Sequence, residues 1–439
     1  MSPQIAHEAQ PELRIPANEN EARWNTGTRI AFRFVFAYLL LYNFSAMLSW
    51  LTYAPTPAEK YEELWHKVVP WVGEHVLRLS APITIFSNGS GDTTYDYVCA
   101  LCFLWLAAAA TVVWSLADRK RLNYEKLHRW LRLYVRLTLA GTMVSYGAFK
   151  VIKSQFPDLS LSRLLQPYGD SSPMGLLWTF MGASTAYTVF AGAVEMLGGL
   201  LLILPRLTTL GALVSVIAMG NIFVLNMCYD VPVKLYSLHL LLMGVFLLVP
   251  DGRRLFNLFV LNREAEPAAD QALFVGKWRN RGVLAFQLAF GVYVTVLSLH
   301  QSYRAYQQYN VKPPFYGIWA VDEFSVDGAP KPDSLDDETR WHRAVFATGF
   351  DFSVQSLSGA RVRFMPEVDS KKKTLTLHKR GDQKQAWVLT FQQPGPESLT
   401  LDGQLDGRRI QAKLRHLEDP KFLLTTRGFH WINEYPFNR

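Results

Sequence analysis

The sequence predicts an α-helical integral membrane bundle of about seven transmembrane helices, followed by a soluble all-β domain. Three observations carry that expectation. Phe34–Tyr53, Tyr97–Ala117, Leu207–Tyr229 and Gly282–Ser302 are apolar runs without a charge, and about 20 such residues let a helix cross a bilayer. Met181–Leu204 holds a single charge, Glu195, and Val231–Val249 a single one, Lys234. Beyond residue 310 charges occur throughout and apolar residues alternate with a period of two, the pattern of half-buried strands.

Taken in order, residues 1–27 are polar with scattered prolines and read as a cytoplasmic tail. Segment 28–128 holds two spans joined by the long loop 54–96. There Thr56 and Pro57 form a helix start, and Leu64, Trp65, Val68 and Val72 recur at helical spacing. An amphipathic helix lying on the outer membrane surface is expected, with Trp65 and Trp71 as interfacial anchors. Asn88-Gly-Ser fits a plain turn as well as a glycosylation acceptor. Leu133–Phe149 is the weakest span, because Arg132 and Arg136 must snorkel at its inner end. Ser172-Pro173 is a helix-start signal ahead of the fourth span. Asp230 and Pro232 have the order of a cap and first turn for the sixth. Segment 255–302 supplies a basic loop and the seventh span.

The basic residues set an orientation. Arg119, Lys120, Arg121, Lys126, Arg129 and Arg132 cluster between spans two and three, and Arg253, Arg254, Arg263, Lys277, Arg279 and Arg281 between six and seven. Alternate connections are poor in Lys and Arg. The positive-inside rule therefore places the N-terminus in the cytoplasm and, after seven crossings, the C-terminus outside. The net charge of +8 is then topological and needs no nucleic acid partner. With three cysteines in 439 residues, no disulfide framework is expected.

Segment 303–439 is expected outside the membrane. "VRFMPEV", "KTLTLHK" and "AWVLTFQQ" alternate as strands do, and Asp402-Gly403 and Asp406-Gly407 read as hairpin turns. At least six short strands suggest a sandwich or small barrel. Gly317-x-Trp319 on the first strand resembles the opening of a lipocalin-like barrel. The aromatic tail "RGFHWINEYPFNR" is expected to pack back or to bind a partner.

Polar groups inside the spans carry the functional expectation. At 1.5 Å rise per residue, Glu195, Asn221 and His239 each lie about 14 Å from a helix end, near the middle of a core about 30 Å thick. Tyr146 and Lys150 form an i, i+4 pair closer to the outside, and Asn226, Asp230 and Lys234 rim the same end. Two readings stand. The groups are hydrogen-bonding glue between helices, or they line a buried polar site for a ligand. For Asp230 helix capping is the favoured role.

Cys99-x-x-Cys102 starts the second span, and Cys228 ends the fifth. A C-x-x-C pair at a helix start can exchange disulfides. Cysteine is also a common small apolar residue of membrane helices, so both readings stay open. No metal site is expected.

Residues 129–254 resemble the DoxX family of four-helix bacterial membrane proteins. The resemblance is carried by "YGAFKV", "QPYGDSSPMGLLWTFMGAS", "GAVEMLGGLLL", "TLGALVSVIAMGNIFVLN" and "LYSLHLLLMGVFLLVPDGRRL". Within them Lys150, Glu195 with Gly198-Gly199, and Pro250-Asp251 stand where such proteins carry these residues. The resemblance implies an inner-membrane protein linked to oxidoreductase assemblies, with quinone or a thiol–disulfide couple as redox partner and no covalent cofactor. It equally admits a non-catalytic scaffold, chaperone or cargo-binding protein that uses the outer β domain. On the redox reading Cys99 and Cys102 are the thiol couple, and Tyr146, Lys150, Glu195, Asn221, Asn226 and His239 hold a lipophilic molecule. The lipid bilayer and a periplasmic protein are the remaining partners implied.

Overall fold

The computed structural model describes residues 23–51, 56–85, 89–265, 267, 272–379, 382–418 and 421–438. Most of the N-terminal tail and Asn88 lie outside the described residues. Among these, six helices are long and apolar enough to cross a membrane: Thr26–Trp50, Thr94–Ala117, Thr185–Ile203, Pro205–Cys228, Lys234–Phe259 and Lys277–Tyr309. The chain is a multi-pass membrane protein. It packs as two compact units, Met1–Thr138 with Pro250–Leu284, and Leu139–Val249 with Ala285–Arg439. The four-helix segment and the β domain thus fall largely within one unit.

The first unit contains helices α1 (Thr26–Leu51), α2 (Thr56–His75) and α3 (Thr94–Ala117) and the first half of α4 (Glu125–Val151). A capping box starts α3: the Asp96 backbone N–H donates to Thr93 Oγ1, and the Thr93 N–H donates to Asp96 Oδ2. Trp65, Val69 and Val72 of α2 pack against Val98, Cys102 and Phe103 of α3. Trp65 is therefore turned into protein, stacked edge-on against Phe103 at 4.6 Å, and only Trp71 is exposed as an interfacial anchor would be. The arginines of the weak span do not snorkel either. Arg136 is buried, and Arg132 reaches Asp251 at 3.9 Å, which also takes Arg254 at 2.5 Å.

The expected third span falls in α4, which is not among those six. Every residue of α4 from 135 to 144 is buried. A helix enclosed by protein tolerates Arg, Thr and Ser that lipid would reject, so composition alone undervalues it.

The second unit holds the rest of α4, then α5 (Leu161–Leu164), α6 (Pro173–Ala183), α7 (Thr185–Ile203), α8 (Thr208–Cys228), α9 (Lys234–Leu248) and most of the 33-residue helix Lys277–Tyr309. Ser172 caps α6 by accepting from the Gly175 N–H at 3.1 Å. The expected fourth span is broken at Ser184, which is extended and caps α7 through the Tyr187 N–H. The sixth span differs from expectation at its start. α9 begins at Lys234, beyond Pro232, and Asp230 sits in a left-handed turn (φ 50°) rather than at the cap. Asp230 instead pairs with Lys234 at 2.9 Å in solvent.

After the long helix, strands β1 (Gly317–Val326), β2 (Ala329–Pro330), β3 (Arg343–Ala347), β4 (Asp351–Gln355), β5 (Arg361–Asp369), β6 (Thr374–Lys379), β7 (Asp382–Gly395), β8 (Ser398–Leu405) and β9 (Arg408–Leu417) form one antiparallel sheet. Each pairs with its neighbour in sequence, except that β2 only folds back on β1, and β9 returns to β1. The result is a closed eight-stranded barrel, consistent with the lipocalin-like expectation. Trp319, Phe346, Phe352, Leu375, Leu389 and Leu401 fill its interior. Trp319 Nε1 donates to the Phe315 carbonyl at 2.8 Å.

Of the two Asp-Gly signals, Asp406-Gly407 turns β8 into β9 with positive φ at both residues. Asp402-Gly403 does not turn. Gly403 lies inside β8 opposite Ile410, where a Cβ would stand 2.6 Å from the Val388 carbonyl oxygen. That glycine serves a close approach of two strands. Of the aromatic tail, Phe429, Trp431 and Tyr435 are exposed, and it is Phe422, ahead of that tail, that packs beside Leu161 and Val345.

Candidate functional site

Two buried charges of the second unit face each other: Lys150, at the end of α4, and Glu195, midway along α7. Their Nζ and Oε2 atoms are 2.7 Å apart, with 8 % and 3 % of the side chains exposed. The backbones of α4 and α7 come close enough for this because both carry glycine. A Cβ on Gly147 would meet the Gly192 carbonyl oxygen at 2.6 Å, and one on Gly192 would meet Lys150 Cβ at 2.6 Å. One turn before Lys150, the Tyr146 ring lies 5.5 Å from the ammonium. Three residues chosen from the sequence are thus brought together.

The others are placed differently. Asn226 Nδ2 donates to Ser237 Oγ at 3.0 Å, tying α8 to α9. His239 is buried with Nδ1 at 2.7 Å from the Leu235 carbonyl of its own helix. Asn221 is exposed on α8 and does not face the interior. Depth along a helix is set by residue count, but azimuth is set by packing, and the short α8 sequence around Asn221 left it open.

All three cysteines are free. Cys102 is buried in the apolar cluster of α2 and α3, Cys99 flanks it, and Cys228 is exposed. Cys99 and Cys102 belong to the first unit, Lys150 and Glu195 to the second. Among the described residues no group of three or more His, Cys, Asp or Glu is arranged to hold a metal ion.

Sequence reading missed a cavity of about 1010 Å³ in the second unit. Its walls come from the end of α4, the connection 154–160, α6, the last turns of the long helix and the near edge of the barrel. Tyr146 is on this wall and so joins the ion pair to the cavity. Phe149, Phe156, Trp178, Tyr309 and Phe350 make it aromatic, and Gln155, Arg163, Gln308 and Arg363 make it polar. Nothing in the spacing of Phe149, Trp178 and Phe350 links them, since they meet only through tertiary folding.

A 124-residue stretch of the chain is 34 % identical to the uncharacterized protein YwoB of Bacillus subtilis (strain 168). The match spans 79 % of YwoB and 28 % of this chain. The chain belongs to the family of YwoB. The larger part of it, beyond the YwoB-like stretch, has no counterpart in that match. No family model and no solved structure matches.

Proposed function

We propose that this YwoB relative is a membrane protein that takes a lipophilic molecule from the bilayer into the cavity beside Tyr146. The observation that carries the reading is the junction of that cavity with the buried Lys150–Glu195 pair through the Tyr146 side chain. Aromatic walls suit an apolar body, and a few convergent polar groups fix its head. The barrel edge closes part of the wall, which supports a role for the β domain in holding or presenting the ligand. The resemblance to DoxX proteins supports placement in a bacterial inner membrane, and the basic loops support a cytoplasmic N-terminus and an outer barrel.

A second, redox-linked reading has a quinone in the same cavity. It draws on the DoxX resemblance and on Tyr146 and Lys150 as proton-bearing groups near the wall. The thiol form of that reading has less support, because Cys102 is packed as an apolar side chain.

Extraction of ligands from protein purified in mild detergent, followed by mass spectrometry, tests both. A stoichiometric lipid or quinone that is lost on filling the cavity with Thr179→Trp supports binding there, and a quinone selects the redox reading. Retention unchanged by the substitution removes the cavity from the account.

A further inference from the structure

The following inference rests on the cavity being a ligand site and adds the chemistry of the ligand's head. Three arginines converge at one side of it. Arg163, in α5, and Arg363, in β5, line the cavity. Arg361 is two residues away on the same face of β5, and its Nη1 donates to the Ser162 carbonyl at 3.0 Å. The Arg163 guanidinium lies over the first turn of α6, where a Cβ on Gly175 would stand 2.7 Å from Nη2. Its Nη1 donates to Gln166 Oε1 at 2.6 Å.

Two carboxylates, Asp158 and Asp351, also line the cavity. Asp158 is bound by Lys153. Burial and then repulsion from Arg363 hold Arg361 below its ordinary range, against the opposing pull of Asp170 and Asp351. Among the described residues, neither Arg163 nor Arg363 forms an ion pair. Burial, followed by repulsion from Arg363 and Arg361, pushes the Arg163 guanidinium below its ordinary range. Like charges gathered on a half-buried wall are unfavourable unless an anion completes the set. Phe149, Phe156 and Trp178 line the same cavity.

We propose that the cavity takes an acidic amphiphile, with its phosphate or carboxylate head on Arg163 and Arg363 and its apolar chain against Phe149, Phe156 and Trp178. Guanidinium groups match both kinds of head by paired N–H donors. A zwitterionic or neutral head leaves the arginines uncompensated and binds more weakly.

The test uses the full chain in mild detergent, offered equal amounts of phosphatidylglycerol and phosphatidylcholine with identical acyl chains, with bound lipid read by native mass spectrometry. The wild type should retain the anionic lipid over the zwitterionic one by at least about tenfold, the effect of one charge-assisted hydrogen bond. The double variant Arg163→Gln, Arg363→Gln should lose that preference, whereas Arg363→Lys, which keeps the charge, should hold most of it and serves as the folding control. In a parallel arm oleate competes with phosphatidylglycerol. Displacement assigns a carboxylate-accepting head and no displacement a phosphate head, and each supports an anion site. Equal retention of both lipids by the wild type, or an undiminished preference in the double variant, overturns the anion site and leaves the cavity reading standing. Retention of neither lipid and no quinone overturns both.

Discussion

At the scale of single residues, burial decides which charges matter. Asp230 and Lys234 are as close as many ion pairs, but the Asp230 side chain is 84 % exposed, so solvent screens the pair. Asp230→Ala should leave thermal stability almost unchanged. Lys150 and Glu195 are the opposite case. Each alone would be an uncompensated charge among packed helices, and removing one partner of a buried pair costs about 3–5 kcal/mol. Lys150→Met should therefore lower the unfolding temperature in detergent markedly, and adding Glu195→Leu should recover more than half of the loss. A double variant as unstable as the sum of its parts would show that the pair is not an energetic unit.

At the scale of elements, α4 and α7 depend on small residues where their backbones cross. A Cβ at Gly192 already meets Lys150 Cβ, the Gly147 carbonyl oxygen and the Val151 amide nitrogen. Gly192→Val should force the helices apart and weaken the Lys150–Glu195 contact, with a drop in detergent stability comparable to losing that pair. Gly169→Ala, where nothing lies within 4 Å, is the matched control. In the barrel, Trp319 is 1 % exposed at the centre of the core, and Trp319→Ala should cost about 3–5 kcal/mol by the cavity it leaves. Far-ultraviolet and near-ultraviolet dichroism on melting would separate loss of the barrel from loss of the helices.

At the scale of the whole molecule, the number of helices that cross decides whether the two ends share a side of the membrane. Six helices qualify by apolarity; we propose that α4, 27 residues long with residues 135–144 buried, is a seventh crossing. An odd number puts the two ends on opposite sides. A C-terminal alkaline phosphatase fusion should be active and an N-terminal fluorescent fusion bright in a bacterial host. Activity of the same reporter at both ends would mean that α4 does not cross.

The sequence by itself determined the elements and their kind. Uninterrupted apolar runs, the Ser172-Pro173 start and the period-two strands are local signals, and hydrogen bonding along a helix or across a hairpin responds to them directly. It also placed Tyr146, Lys150 and Glu195 as the charged and aromatic groups to watch. Tertiary structure alone decided which face each helix turned inward. That choice buried Trp65, exposed Asn221, kept Gly403 within a strand and gathered Arg163, Arg363, Phe149 and Trp178 around one cavity. Residue spacing fixes distance along an element, but rotation about its axis is settled only by the neighbours it packs against.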